Sequence, residues 1–314
     1  MRRLTGKIAL VTGASRSAGR GIAFVLGQEG ATVYVTGRSM RRALSRPLDD
    51  ELQQHDPTIE RTAEMVTEQG GLGIPIECDH TVDTQVEALF ARIQREQGRL
   101  DILVNNTWGG YEDMETGSSL TAPFWEQPLW RWEKMFTAGV RAHYVSTHFA
   151  APLMLPQRQG LIVTTSFYDR GKFLNSVLYD LAKTAKNRLA YSLALELRPY
   201  TIASVALVPG TMRNEGMLYP EQLHHEYQTI ASVDTSYWGP QHGRRLPGTE
   251  NYLWRTESTQ YIGRAVVALA TDPDLMEKSG KVLLVGDLAK VYGFTDIDGR
   301  QVPPYQLLDD QVRD

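Results

Sequence analysis

Ser166, Tyr179 and Lys183 are residues whose types and spacing can do chemistry together. Tyr179 and Lys183 are four apart, so on a helix they share one face, one turn from each other. A phenol ordinarily keeps its proton up to about pH 10. An ammonium beside it stabilises the phenolate, and lowering that pKa by about two or three is within reach of neighbouring charges. Such a pair is a proton donor and acceptor for neutral pH, and Ser166 adds a hydroxyl for a substrate oxygen. The same spacing occurs on ordinary exposed helices, and a serine equally ends a strand, so the triplet needs other elements around it. Tyr168, two residues past Ser166, has no lysine one turn on and is read as lining the substrate pocket. His143 and His148 fall in a helical stretch and His224 and His225 in a long loop. None stands at a ligand spacing with cysteine or carboxylates, so no metal site is expected.

The elements that must position the triplet are legible as apolar runs alternating with amphipathic stretches. Seven candidate strands are "KIALVTG" (7–13), "ATVYVTGR" (31–38), "GIPIECD" (73–79), "LDILVNN" (100–106), "GLIVTTS" (160–166), "IASVALVPG" (202–210) and "KVLLVGD" (281–287). Helical patterns lie between them, one over 19–30 closed by Gly30 and one over 58–71 capped by Thr58. The alternation predicts an α/β fold: a mostly parallel seven-stranded sheet, doubly wound, with helices on both faces. With no Pro/Gly/Ser-rich linker, residues 1–314 read as a single domain.

"VTGASRSAGRGIA" (11–23) joins the first strand to the first helix. Glycines there make a tight turn and let backbone N–H groups approach a pyrophosphate, whose charge the helix N-terminus favours. Enzymes that use NAD place an acidic residue at the end of the second strand to hold the ribose 2′-hydroxyl. Here that strand ends in Gly37 and Arg38, and Arg16 lies in the glycine turn itself. Two guanidinium groups suit a 2′-phosphate, so the cofactor expected is NADP(H).

A net charge of −4 and the lack of a basic stripe give no case for nucleic acid. No window approaches the ~20 apolar residues of a membrane helix. Cys78 is the only cysteine, which fits a reducing, cytoplasmic setting. Three stretches exceed ordinary connections: 39–57, the Trp- and Gly-rich 107–130, and the aromatic-rich 211–256, read as a substrate lid or wall, part of which equally suits an oligomer contact.

In the order "TGASRSAGRG", Asp79, "NN" (105–106), Ser166, "YDLAK" (179–183) and "PG" (209–210), the chain resembles the short-chain dehydrogenase/reductase family over nearly its whole length. The resemblance implies a Rossmann-type domain that binds the cofactor through Gly13, Ser15, Arg16, Ser17, Gly19, Arg38, Asp79, Asn105, Tyr179, Lys183, Pro209, Gly210 and Thr211. It also implies that Tyr179 exchanges a proton with a carbonyl oxygen as hydride is transferred. Lys183 tunes that tyrosine, Ser166 holds the oxygen, and the partner is a small carbonyl or alcohol substrate. Family members are commonly homodimers or homotetramers.

The chain departs from the family pattern at four places. Ser17 replaces a turn glycine, Trp108 stands where a small residue is usual, and Asn214 takes the place of a threonine. Gly139 falls where many members carry a proton-relay asparagine, which leaves two readings: a backbone kink or a second water serves instead, or turnover is slow. Trp108 reads either as reaching the nicotinamide pocket or as packing under the lid. Two rivals stay open: a non-catalytic NADP(H)-binding regulator, which Gly139 and Ser17 would allow, and an enoyl reductase, which Ser17 favours and the short Tyr179–Lys183 spacing does not.

Overall fold

A computed structural model describes residues 2–43, 56–111, 120, 122–168, 170–214 and 255–306. The chain starts with β1 (Ile8–Val11), α1 (Ser17–Gln28) and β2 (Thr32–Gly37), followed by α2 (Ile59–Glu68) and β3 (Leu72–Glu77). Next come α3 (Asp83–Gln97), β4 (Ile102–Asn105), α4 (Leu129–Phe136), a π turn over Thr137–Arg141 and α5 (Ala142–Met154). β5 (Gly160–Thr165), α6 (Val177–Leu197) and β6 (Ile202–Val208) follow, then β7 (Thr211–Arg213) and β8 (Thr256–Ser258). α7 (Thr259–Ala270), β9 (Val282–Leu284) and α8 (Val285–Tyr292) close the described fold.

All seven expected strands join one sheet, in the order β3-β2-β1-β4-β5-β6-β9, and every pairing is parallel. The order reverses between β1 and β4, and in such sheets ligands bind at that crevice, beyond the carboxyl ends of the strands. Strands β1, β4, β5 and β6 are buried along their whole length, which is why they read as continuous apolar runs.

Side chains alternate between two cores. Ala9, Val11, Val33 and Val35 face Ile22 and Leu26 of α1, Ile59 and Val66 of α2, and Ile262 and Val266 of α7. Ile8, Leu10, Tyr34 and Leu103 face Val86, Phe90 and Ile93 of α3 and Val145 and Leu153 of α5. Each fully buried Val, Leu or Ile stabilises by about 1.5–3 kcal/mol, so the sheet is the rigid platform for whatever sits at its end.

The expected caps are present. The Thr58 hydroxyl accepts from the Arg61 N–H at 3.3 Å, and Gly30 follows α1 at φ +85°. The seventh strand is shorter than its apolar run. Only Val282–Leu284 pairs with β6, and α8 starts at Val285. Gly286 lies so close to the chain that a Cβ would fall 2.3 Å from the Pro304 nitrogen. A short apolar run does not distinguish buried strand from buried helix, and here tertiary packing decides. The β7–β8 pair was not anticipated. Of the stretch read as a lid (211–256), only 211–214 and 255–256 lie within the described residues.

Candidate active site

The turn after β1 is stitched to the end of β4. The Thr12 hydroxyl oxygen accepts from the Asn106 N–H at 2.9 Å and the Thr107 N–H at 3.3 Å, and the Asn106 side-chain amide donates to the Gly13 carbonyl at 2.9 Å. Gly13 is left-handed at φ +62°, and a Cβ on Gly19 would lie 2.3 Å from the Gly13 carbonyl oxygen. That closeness is the cradle a pyrophosphate needs, so the turn fits a dinucleotide. Ser17 holds the left-handed conformation at φ +53°, so the backbone path survives loss of the glycine.

Arg20 was not singled out in the sequence. It is buried and donates to the Ser15 and Asp56 carbonyls and to the Thr62 hydroxyl, tying the turn to the start of α2.

At the end of β2, Arg38 is exposed and 3.9 Å from the Asp79 carboxylate. Burial works against the charge of Asp79, but hydrogen bonds from Thr81, with Arg38 nearby, hold its pKa below the ordinary carboxylate value. Arg16 is the extended residue just before α1. Arg41 and Arg42, close in sequence to Arg38, are engaged by carboxylates: Arg41 by Asp56 and Glu64, Arg42 by Glu77. Asn105 is buried and donates to Thr147 of α5 at 2.9 Å.

Ser166 follows β5, and its hydroxyl donates to the Lys183 backbone carbonyl at 3.3 Å. Ser176 caps α6, accepting from the Tyr179 N–H at 3.5 Å, which places Tyr179 in the first turn and Lys183 one turn on. The Lys183 ammonium lies 5.0 Å from the centre of the Tyr179 ring and 3.7 Å from that of Trp108. The structure therefore brings Ser166, Tyr179 and Lys183 together at the carboxyl end of the sheet, beside the glycine turn.

Tyr168 is exposed, and its neighbour Phe167 is the aromatic residue that meets Tyr179, with ring centres 6.0 Å apart. Phe167 also packs on Tyr305 at 4.7 Å, so the C-terminal segment reaches the site. Pro209 and Gly210 are buried and Thr211 opens β7.

Two buried titratable groups, Lys186 and Glu257, have no signal in the sequence, and His143, read there as no metal ligand, is buried as well. Lys186 is 1% exposed, with its ammonium 5.1 Å from the Trp108 ring. Burial, then the charge of Lys183, drives its pKa well below the usual lysine value. His143 bonds the Thr107 carbonyl at 2.9 Å, and burial followed by Lys186 keeps it neutral. Glu257 accepts from the Gly210 N–H at 2.9 Å, and burial pushes its pKa up to about 8. Burial also pushes Lys183 down to about 7. Among the described residues no group of His, Cys, Asp and Glu could hold a metal ion, and no helix is long and apolar enough to cross a membrane.

Residues 7–220 match the short chain dehydrogenase family. Human "Dehydrogenase/reductase SDR family member 1" is 36% identical over 306 residues, covering 97% of this chain and 88% of that protein. A solved short chain dehydrogenase from Mycobacterium thermoresistibile superposes with a TM-score of 0.71 at 24% identity, covering 99% of this chain and 98% of its own. A metagenomic short-chain oxidoreductase solved in complex with NADP gives 0.61 at 22%, covering 90% and 97%. By family match, near-full-length identity and sheet order together, the chain belongs to the short-chain dehydrogenase/reductase family.

Proposed function

We propose that this protein is an NADP(H)-dependent oxidoreductase that interconverts a carbonyl and a secondary alcohol, with Tyr179 as acid and base. The observation that carries the reading is the packing of the Lys183 ammonium against the Tyr179 ring, with Ser166 hydrogen-bonded to the backbone of the same lysine. A bound nicotinamide supplies or accepts hydride. Tyr179 then gives its proton to the developing alkoxide and recovers it in the reverse direction, and the Ser166 hydroxyl holds the same oxygen. Lys183, while protonated, favours the phenolate form of Tyr179. Phe167, Trp108 and Tyr305 supply apolar surface near the tyrosine, which suits a bulky, apolar carbonyl compound.

The choice of NADP(H) rests on Arg16 and Arg38 and on the absence of an acidic residue at the end of β2. A single, buried Cys78 supports a reducing, cytoplasmic setting. Exposed Tyr144 on α5, and Val177, Leu181, Tyr191 and Leu195 spaced along one face of α6, support a homodimer or homotetramer.

NADPH consumption over a panel of ketones, aldehydes and diketones tests the reading. Turnover should fall by about a hundredfold or more in Tyr179→Phe, with NADPH binding kept. Tight NADPH binding without turnover of any carbonyl would instead favour a binding regulator. Arg38→Ala should weaken NADPH by about tenfold and leave NADH nearly unchanged. Equal losses for both would remove Arg38 from the 2′-phosphate site.

A further inference from the structure

Trp108 and Gly139 are fitted to each other. Gly139 lies in the π turn between α4 and α5, and a Cβ there would fall 2.6 Å from Cζ3 and 2.7 Å from Cε3 of the Trp108 ring. No side chain fits at position 139 while the indole is in place. The ring that fills this space also packs against the candidate catalytic lysine. Its centre is 3.7 Å from the Lys183 ammonium, and it meets the Tyr179 ring edge-on at 5.6 Å and 78°.

Among the described residues, the titratable groups that interact with Lys183 are Tyr179 and Lys186 from its own helix and His143 from α5. Neither Lys186 nor His143 supplies a negative charge: burial holds Lys186 well below the usual lysine value and His143 well below the usual histidine value. Burial is the only influence resolved on the Lys183 pKa, with no carboxylate contributing among the described residues. A cation kept in such a place needs another source of negative potential, and the face of an indole is the strongest of the aromatic side chains.

We propose that Trp108 is a positioning residue of this centre: its indole, admitted by the bare backbone at Gly139, holds the Lys183 ammonium and seats it against Tyr179. The proposal rests on the reading of Tyr179 and Lys183 given above. It makes the aromatic residue after the second asparagine and the glycine of the π turn one unit, 31 residues apart in sequence. Among the described residues the buried indole Nε1–H has no hydrogen-bond partner, so there the ring is held by its faces and edges rather than by its polar atom.

The test is a set of variants, Trp108→Leu, Trp108→Tyr, Gly139→Ala and the double Trp108→Ala/Gly139→Ala, each checked for folding and NADPH affinity. Lys183 titration is followed by NMR of 13Cε-labelled lysine, with Lys183→Met for assignment. Trp108→Leu should lower the Lys183 pKa by roughly half to one and reduce kcat about tenfold or more with little change in the KM for NADPH. Trp108→Tyr, which keeps a π face, should restore most of both. Gly139→Ala should lose activity by displacing the ring, and adding Trp108→Ala should cost much less than the product of the two single losses.

A Trp108→Leu protein that binds NADPH and keeps both the wild-type lysine titration and kcat would overturn the proposal. So would single losses that simply multiply in the double variant. If Trp108→Leu does not fold, the Trp108→Tyr titration and the Gly139 pair decide by the same criteria. Full turnover in Tyr179→Phe would count against the assignment of Tyr179, while the lysine titration would still report on the indole.

Discussion

At the residue scale the centre holds two buried lysines whose protons burial makes easier to lose. Lys183 and Lys186 lie three residues apart on the inner face of α6, 8% and 1% exposed. An unfolded chain keeps a lysine proton up to about pH 10.4, whereas folded Lys183 releases its own above about 7. Between those values the unfolded state binds more protons, so the contribution of Lys183 makes stability rise with pH across that window. Lys186 acts in the same direction. Lys186→Met should therefore stabilise the protein at pH 7 by about 1–3 kcal/mol, and the gain should shrink as pH is raised toward 10. Denaturant melts of both proteins at three pH values check this, and a gain that grows with pH would contradict it. The spacing of Tyr179 and Lys183 is local and could be read from the sequence. The burial of Lys186 and the fit of Trp108 to Gly139 could not, because they join segments that meet only after the sheet assembles.

At the scale of elements, the carboxyl ends of the strands are held by side chains from distant segments. Glu257 on β8 reaches across to the Gly210 N–H, and Asp296 accepts from the Ser258 N–H at 2.7 Å and pairs with Arg213 on β7 at 3.3 Å. Glu257 is fully buried, and burial raises its pKa to about 8, against about 4.3 in an unfolded chain. Between these values the folded state binds more protons, so the contribution of Glu257 falls as pH rises through the window. Glu257→Gln keeps an acceptor for Gly210 and removes the titration. It should match wild type near pH 5 and exceed its stability by about 1 kcal/mol or more at pH 8. Thermal melts at both pH values measure the difference, and a variant less stable at pH 8 would show that Glu257 is held there as a useful charge. Strand and helix order was legible because apolar periodicity is a local property. The end of β9 and the β7–β8 pair were not, since packing against Pro303–Pro304 and contacts across more than 40 residues set them.

At the scale of the whole molecule, the reversal of strand order between β1 and β4 puts the glycine turn, Ser166 and the start of α6 at one end of the sheet. The apolar stripe on α6 lies on the opposite side of that helix from Lys183 and Lys186, so the helix turns its lysines inward and leaves an exposed apolar face, the one the proposed oligomer would use. Leu195, 54% exposed, is far enough from Tyr179 to be altered without touching the centre. Leu195→Glu should shift the species seen by light scattering toward monomer and leave NADPH affinity within about twofold of wild type. An unchanged mass would place any interface elsewhere.

The central claim is that Tyr179 protonates a carbonyl oxygen as hydride reaches the carbon. The most direct measurement supplies NADPH deuterated at C4 of the nicotinamide, on the transferred face, together with the carbonyl panel, and looks for deuterium on the carbinol carbon by mass spectrometry. The account predicts label there with wild type and almost none in the same time with Tyr179→Phe. Equal labelling by both proteins, or label found only at a carbon–carbon double bond that has become saturated, would contradict it.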